Sequence, residues 1–174
     1  MQASLLKAAA QGNNSQIEQF LKRGAKINKP DARGQTALFY AATRGHAGTI
    51  KVLVQRGARV DQASEDGTTP LSNAAFNGHA EAVRILLEHN ADVDKADNEG
   101  FAPLYCAAQN NHTEAMKVLL KYKATVDKAA NDGTSPLAVA ADHGQTDAMQ
   151  LLLRHGAQAN LVRPNGFTAL LSAG

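Results

Sequence analysis

Six histidines and one cysteine are the residues of this 174-residue chain whose types could ligate a metal or form a nucleophile–base pair. A zinc site needs three or four such ligands within about 2.0–2.3 Å of one point, and a nucleophile needs its base within hydrogen-bond reach. The spacing serves neither. His46, His79 and His112 recur at 33-residue intervals, each directly after a turn residue, so each opens the second helix of a repeated unit. Helices in contact lie about 8–10 Å apart, too far for imidazoles on successive units to share one zinc ion. Structural capping is the role this position suggests. His89 and His155 precede the turn after a second helix, where a cation complements the helix end, and His143 stands apart from both sets. Cys106, beside Ala107 and Ala108, reads as a buried thiol. One cysteine builds no disulfide framework, which favours a reducing intracellular setting. The sequence contains no Gly-rich phosphate loop and no ligand-spaced Cys/His cluster. The expectation is a chain that is not an enzyme, with no catalytic, cofactor-binding or metal-binding residues.

The elements that carry these residues repeat. Gly34, Gly67, Gly100, Gly133 and Gly166 are 33 residues apart, as are the turn residues Gly12, Gly45, Gly78, Asn111 and Gly144. A third series, Gly24, Gly57, Asn90, Lys123 and Gly156, precedes Ala25, Ala58, Ala91, Ala124 and Ala157. The stretch 67–94 shows one unit clearly. Thr69 can cap a first helix and Pro70 is pre-set for its first position. Leu71, Ala74 and Ala75 form a narrow apolar face, and Gly78 can take the left-handed conformation that ends the helix. Val83, Leu86 and Leu87 then form the stripe of a second, amphipathic helix. A helix pair of this size cannot bury its stripe alone, so the copies must stack into a solenoid.

The 33-residue period, with Thr36-Ala-Leu-Phe, Thr69-Pro-Leu-Ser, Ala102-Pro-Leu-Tyr, Ser135-Pro-Leu-Ala and Thr168-Ala-Leu-Leu at the first helices, resembles the T-P-L-H-x-A pattern of the ankyrin-repeat family. None of the five carries the histidine of the pattern. Phe39 and Tyr105 take its slot and are expected to pack between units. The resemblance implies an all-α ankyrin-repeat solenoid whose helix-turn-helix units are joined by β-hairpin-like loops. It spans a single domain, 1–174: an N-terminal capping unit 1–30, full units 31–63, 64–96, 97–129 and 130–162, and a partial unit 163–174. In the first unit Asn13, Asn14 and Ser15 offer caps for the second helix, with Ser15 and Glu18 spaced as a capping box.

The same resemblance implies a function, protein–protein interaction through a concave groove lined by the first helices and hairpin tips. By motif position the lining residues are Arg33, Gln35, Thr43 and Arg44, then Glu65, Asp66, Thr68, Phe76 and Asn77. The row continues with Asn98, Glu99, Phe101, Gln109 and Asn110, then Asn131, Asp132, Thr134, Asp142 and His143, with Asn165 and Phe167 at the end. Phe76 and Phe101 occupy positions that usually face solvent in the family. An exposed ring forgoes about 1.5–3 kcal/mol of burial, and aromatics are enriched among interface hot spots. The alternative is that each ring folds onto a neighbouring unit.

Charge is uneven along the chain. Residues 1–63 hold 10 Lys and Arg against 3 Asp and Glu, a net of +7, whereas residues 64–174 hold 8 against 13, a net of −5. Such a dipole can steer a charged partner, or can simply be a solvated surface. The expected partner is another protein or peptide, with no small-molecule substrate. Nucleic acid or an anionic surface on the basic first third is a weaker alternative, because aromatics are not interleaved with the basic residues. A targeting or regulatory array within a larger multidomain protein or enzyme is a further one. No long apolar run or basic leader is present, so no membrane insertion is expected and the setting is cytoplasmic or nuclear. The last unit, from Arg163, leaves Leu170 and Leu171 without a second helix. Further repeats or another chain are expected to cover that end.

Overall fold

The computed structural model describes residues 1–161. Over these residues the apolar spacing resolves into ten helices taken in pairs: α1 (Gln2–Ala10) with α2 (Asn14–Lys22), α3 (Ala37–Thr43) with α4 (Ala47–Gln55), and α5 (Pro70–Phe76) with α6 (Ala80–Glu88). The series continues with α7 (Pro103–Gln109) and α8 (Thr113–Lys121), then α9 (Pro136–Asp142) and α10 (Thr146–Arg154). No strand occurs among the described residues. The partial unit from Arg163, with Asn165, Phe167, Leu170 and Leu171, lies outside them.

Local chemistry starts the first helices. Thr36, Thr69 and Ser135 accept hydrogen bonds from the amides of Phe39, Ser72 and Ala138 at 3.2, 3.0 and 3.2 Å. Ala102 has no oxygen to offer, and α7 begins without a side-chain cap. The α2 cap differs from the expected capping box. Asn13 Oδ1 accepts from the Gln16 amide at 3.0 Å, Ser15 lies inside the helix, and Glu18 pairs with Arg56 at 2.7 Å. The turn at Gly12 brings the chain into α2 two residues earlier than a Ser15 cap would. The helix-ending positions adopt positive φ even where glycine is absent, at Asn90 (64°), Asn111 (58°) and Lys123 (66°).

Stacking puts the same slot of every unit in one core. Leu5, Leu38, Leu71, Leu104 and Leu137 are each at most 1 % exposed, and each contributes about 1.5–3 kcal/mol of burial. The paired alanines of the first helices, such as Ala74–Ala75 and Ala107–Ala108, let those helices approach closely. Successive first helices accordingly pack more tightly than successive second helices, so the stack curves with α1, α3, α5, α7 and α9 on its concave side. Leu153, near the end of α10, is 47 % exposed. Its counterpart two units earlier, Leu87, is 6 % exposed.

A ladder of side-chain bonds joins the loops that follow the second helices. Asn28, Asp61, Asp94 and Asp127, themselves 33 residues apart, accept bonds from the amides of Arg59, Asp92, Thr125 and Gln158. Sequence reading missed this series, whose signal was the same interval that revealed the glycines.

Candidate functional site

Among the described residues, the rim of the concave face is built from four hairpin tips. In each, the first residue's amide donates to the carbonyl four residues on: Asp31 to Gln35 (3.0 Å), Ser64 to Thr68 (3.0 Å), Asp97 to Phe101 (3.3 Å) and Ala130 to Thr134 (3.0 Å). A carboxylate holds each turn from within. Asp31 Oδ1 accepts from the Arg33 and Gln35 amides at 2.9 Å, Asp97 Oδ1 from those of Glu99 (3.0 Å) and Phe101 (2.9 Å). Asp66 and Asp132 do the same for the Thr68 and Thr134 amides. Adjacent tips are tied together, since the amides of Glu65, Asn98 and Asn131 donate to the carbonyls of Arg33, Asp66 and Glu99. Side chains reinforce the row, with Asn98 Nδ2 donating to Glu65 O (3.1 Å) and Asn131 Nδ2 to Asn98 O (2.9 Å).

These bonds tune the acids. The Ser64 hydroxyl above all, with the Thr68 amide, holds the Asp66 carboxyl below its ordinary range against the opposing effect of burial. At Asp31 burial opposes ionisation, yet bonds from the Tyr40 hydroxyl (2.7 Å) and the Gln35 and Arg33 amides, with the Arg33 charge, outweigh it and lower the carboxyl. The same bond raises the Tyr40 hydroxyl. Tyr40 was not among the expected lining residues. It stands with Ala3, Leu6, Lys7 and Ala10 around an open depression at the N-terminal end of the groove.

Among the expected site residues, Arg33, Arg44, Glu65, Asp66, Phe76, Asn77, Asn98, Glu99, Asn131, Asp132, Asp142 and His143 are exposed. Gln35, Thr43, Thr68, Gln109 and Asn110 are half-buried. Thr134 is not a lining residue, because it is 6 % exposed. Thr43 is engaged between units: its hydroxyl donates to Phe39 O (2.9 Å) and accepts from Asn73 Nδ2, while its carbonyl accepts from His79. Asn77 Nδ2 donates to Asn73 O (2.8 Å), and Asn110 Nδ2 to Cys106 O (3.2 Å).

The two phenylalanines part ways. Phe76, at the end of α5, is 46 % exposed. Phe101 is not a solvent-facing ring. It stacks on Tyr105 with centroids 4.6 Å apart and planes 11° from parallel, and packs against the core. Tyr105 stands four residues on and is buried, so the tip folds Phe101 down onto it. Phe39 is also 6 % exposed, in edge contact with Tyr40.

Five of the six histidines hold carbonyls. His46 Nε2 lies 3.0 Å from Ala10 O and His79 Nε2 3.0 Å from Thr43 O, in each case the first helix of the preceding unit. They stand at the N-cap positions of α4 and α6 but make no side-chain bond to those helices. The expected capping therefore runs across units. Gln145 takes the same position in the last pair, its Nε2 donating to Gln109 O at 3.1 Å. His89, His143 and His155 place Nδ1 2.8–2.9 Å from the carbonyls of Ile85, Val139 and Leu151. A carbonyl only accepts, so the facing ring nitrogen carries the proton in all five rings.

Cys106 is buried, and burial first, with the nearby Asp97 charge, pushes its thiol up to about 12. Among the described residues no three His, Cys, Asp or Glu side chains gather as a metal-holding group, and no helix is long and apolar enough to cross a membrane. The arrangement thus presents exposed side chains on a rigid, cross-bonded rim.

Comparison with known families matches "Ankyrin repeats (3 copies)" over residues 5–97 and 57–131 and "Ankyrin repeat" over residues 132–163. No curated protein matches the chain. The matched segments cover nearly its whole length, and the chain belongs to the ankyrin-repeat family.

Proposed function

We propose that the chain is a non-enzymatic recognition module that binds a protein or peptide along its concave groove and hairpin tips. Ankyrin repeats are in general protein–protein interaction modules. The observation that carries the reading here is Phe76, a large apolar ring left 46 % exposed at the end of α5, where the ends of α3, α7 and α9 carry the polar Thr43, Gln109 and Asp142. Asn77 follows it in the turn after α5, and Arg44 holds the equivalent of Asn77 one unit earlier, both exposed. Arginine and aromatic side chains are the types that dominate interface energetics, and a rim already cross-bonded loses little freedom on binding.

The test is selection from a random peptide library on the intact chain, followed by affinity measurement. Phe76→Ala should weaken the selected peptides about thirtyfold, as loss of a hot spot of about 2 kcal/mol requires. Lys51→Ala, on the exposed side of α4, should leave them unchanged. Sensitivity to Lys51 but not to Phe76 would place binding on the convex side and refute the proposal.

A further inference from the structure

The two faces of the stack differ in charge in a way that selects the partner, if the groove is the binding face. Residues 64–80, 97–112 and 130–145 contain the three later tips, α5, α7, α9 and the turns after them. They hold Glu65, Asp66, Asp97, Glu99, Asp132 and Asp142 and no lysine or arginine. All seven Lys and Arg of residues 64–161, from Arg84 to Arg154, fall on α6, α8, α10 or the loops that follow them. The same half holds as many acids, Glu81, Glu88, Asp92, Asp94, Glu114, Asp127 and Asp147, so its formal charge is zero, and two of the cations are paired directly: Arg84 bonds Glu81 and Glu88, and Lys117 bonds Glu114. The first two units lack this separation, with Lys7, Arg33 and Arg44 on their inner half. The negative field is therefore confined to the concave side of the third to fifth units, the side on which Phe76 is exposed. One-signed clefts concentrate ligands of the opposite sign.

We propose that this part of the groove takes a basic, extended protein segment, with lysine or arginine side chains set against Glu65, Glu99 and the Asp132 tip. An apolar or guanidinium group covers Phe76, whose ring face also attracts cations. The spacing is specific. Successive tips are hydrogen-bonded to one another, and the helices behind them stand about 8–10 Å apart. A polyproline-type segment rises about 3.1 Å per residue with three residues per turn, so every third side chain recurs on one face at about 9 Å. The matching segment carries a cation at every third position. A polyanion meets the opposite field here.

This inference rests on the groove reading, and the experiment separates the two. Two synthetic peptides of about twelve residues, with proline and alanine between arginines or between glutamates at every third position, are titrated against the whole chain by fluorescence anisotropy. The arginine peptide should bind, more tightly at low ionic strength. Glu65→Lys with Glu99→Lys should weaken it about tenfold, or about 1.4 kcal/mol. The charge-matched pair Glu81→Lys with Glu114→Lys should change it less than about twofold. Thermal melts check that each variant folds, and Glu65→Gln with Glu99→Gln serves if the lysine pair does not. Failure of the arginine peptide to bind at low salt overturns the proposal, as does equal or tighter binding of the glutamate peptide or of a duplex oligonucleotide. A glutamate peptide whose binding is lost in Phe76→Ala would keep the groove reading and remove only the basic partner. Arginine-peptide binding that responds to the outer pair and to neither groove change would remove both.

Discussion

Replacing Gly45 by alanine measures what the cross-unit histidine bonds contribute, when set beside the same change at Gly57. Both glycines adopt a left-handed backbone, with φ of +66° and +87°. Alanine in that region costs about 1–2 kcal/mol, partly offset by about 0.4–1 kcal/mol of lost freedom in the unfolded chain. That leaves about 1 kcal/mol for each. At Gly57 a Cβ would meet nothing within 4 Å, so the backbone cost is the whole effect. At Gly45 the Cβ would lie 2.7 Å from Cγ and Nδ1 of His79, closer than any tolerated contact. The ring must swing away and surrender its 3.0 Å bond to Thr43 O. A net hydrogen bond contributes about 1 kcal/mol, and a half-buried carbonyl left without a partner costs somewhat more. Gly45→Ala should thus destabilise by about 2 kcal/mol more than Gly57→Ala. For a domain of this size that is a difference in Tm of about 4–8 °C, readable by circular dichroism melts of the two variants. Equal melting temperatures would show that the histidines contribute nothing across units and refute the reasoning.

The uncapped helix offers a gain: Ala102→Ser should supply α7 with the bond that Ser135 makes to Ala138 in the next unit, raising stability by about 1 kcal/mol and Tm by about 2–4 °C. Lys123→Gly should relieve a left-handed non-glycine (φ 66°) and raise Tm by about 2 °C, whereas Lys123→Ala should not. Cys106 should react with a thiol reagent at pH 8 far more slowly in the folded chain than in urea. An unfolded thiol ionises near pH 8.5–9 while the folded one resists to about 12, so the unfolded state binds fewer protons between these values. Stability must fall as pH rises across that window, and Cys106→Ala, compared by urea melts, should lose this part of the slope.

What was legible in the sequence was local or periodic. Thr69 before Pro70, the leucine at every thirty-third position and the turn glycines state helix starts, core slots and helix ends within a few residues of each other. What was not legible depends on bonds between units. The histidine bonds reach back 36 residues, and nothing adjacent to His46 or His79 indicates the acceptor. The glutamine at position 145 was the available clue, since it shares a donor with imidazole but no metal or acid–base chemistry. Phe101 read as exposed because its tip position usually is, yet Tyr105 four residues on marked a place for it to stack. Thr134 shares its register with Gln35, Thr68 and Phe101, and only packing distinguishes the buried member from the half-buried ones.

The central claim, that the concave face is where this chain recognises its partner, is tested most directly by mapping amide NMR shifts of the intact chain as a library-selected peptide is added. The account predicts shifts at residues 31–46, 64–78, 97–112 and 130–145, greatest around Phe76, with α6, α8 and α10 unmoved. Shifts confined to α6, α8 and α10, with Phe76 and the tips unchanged, would contradict it.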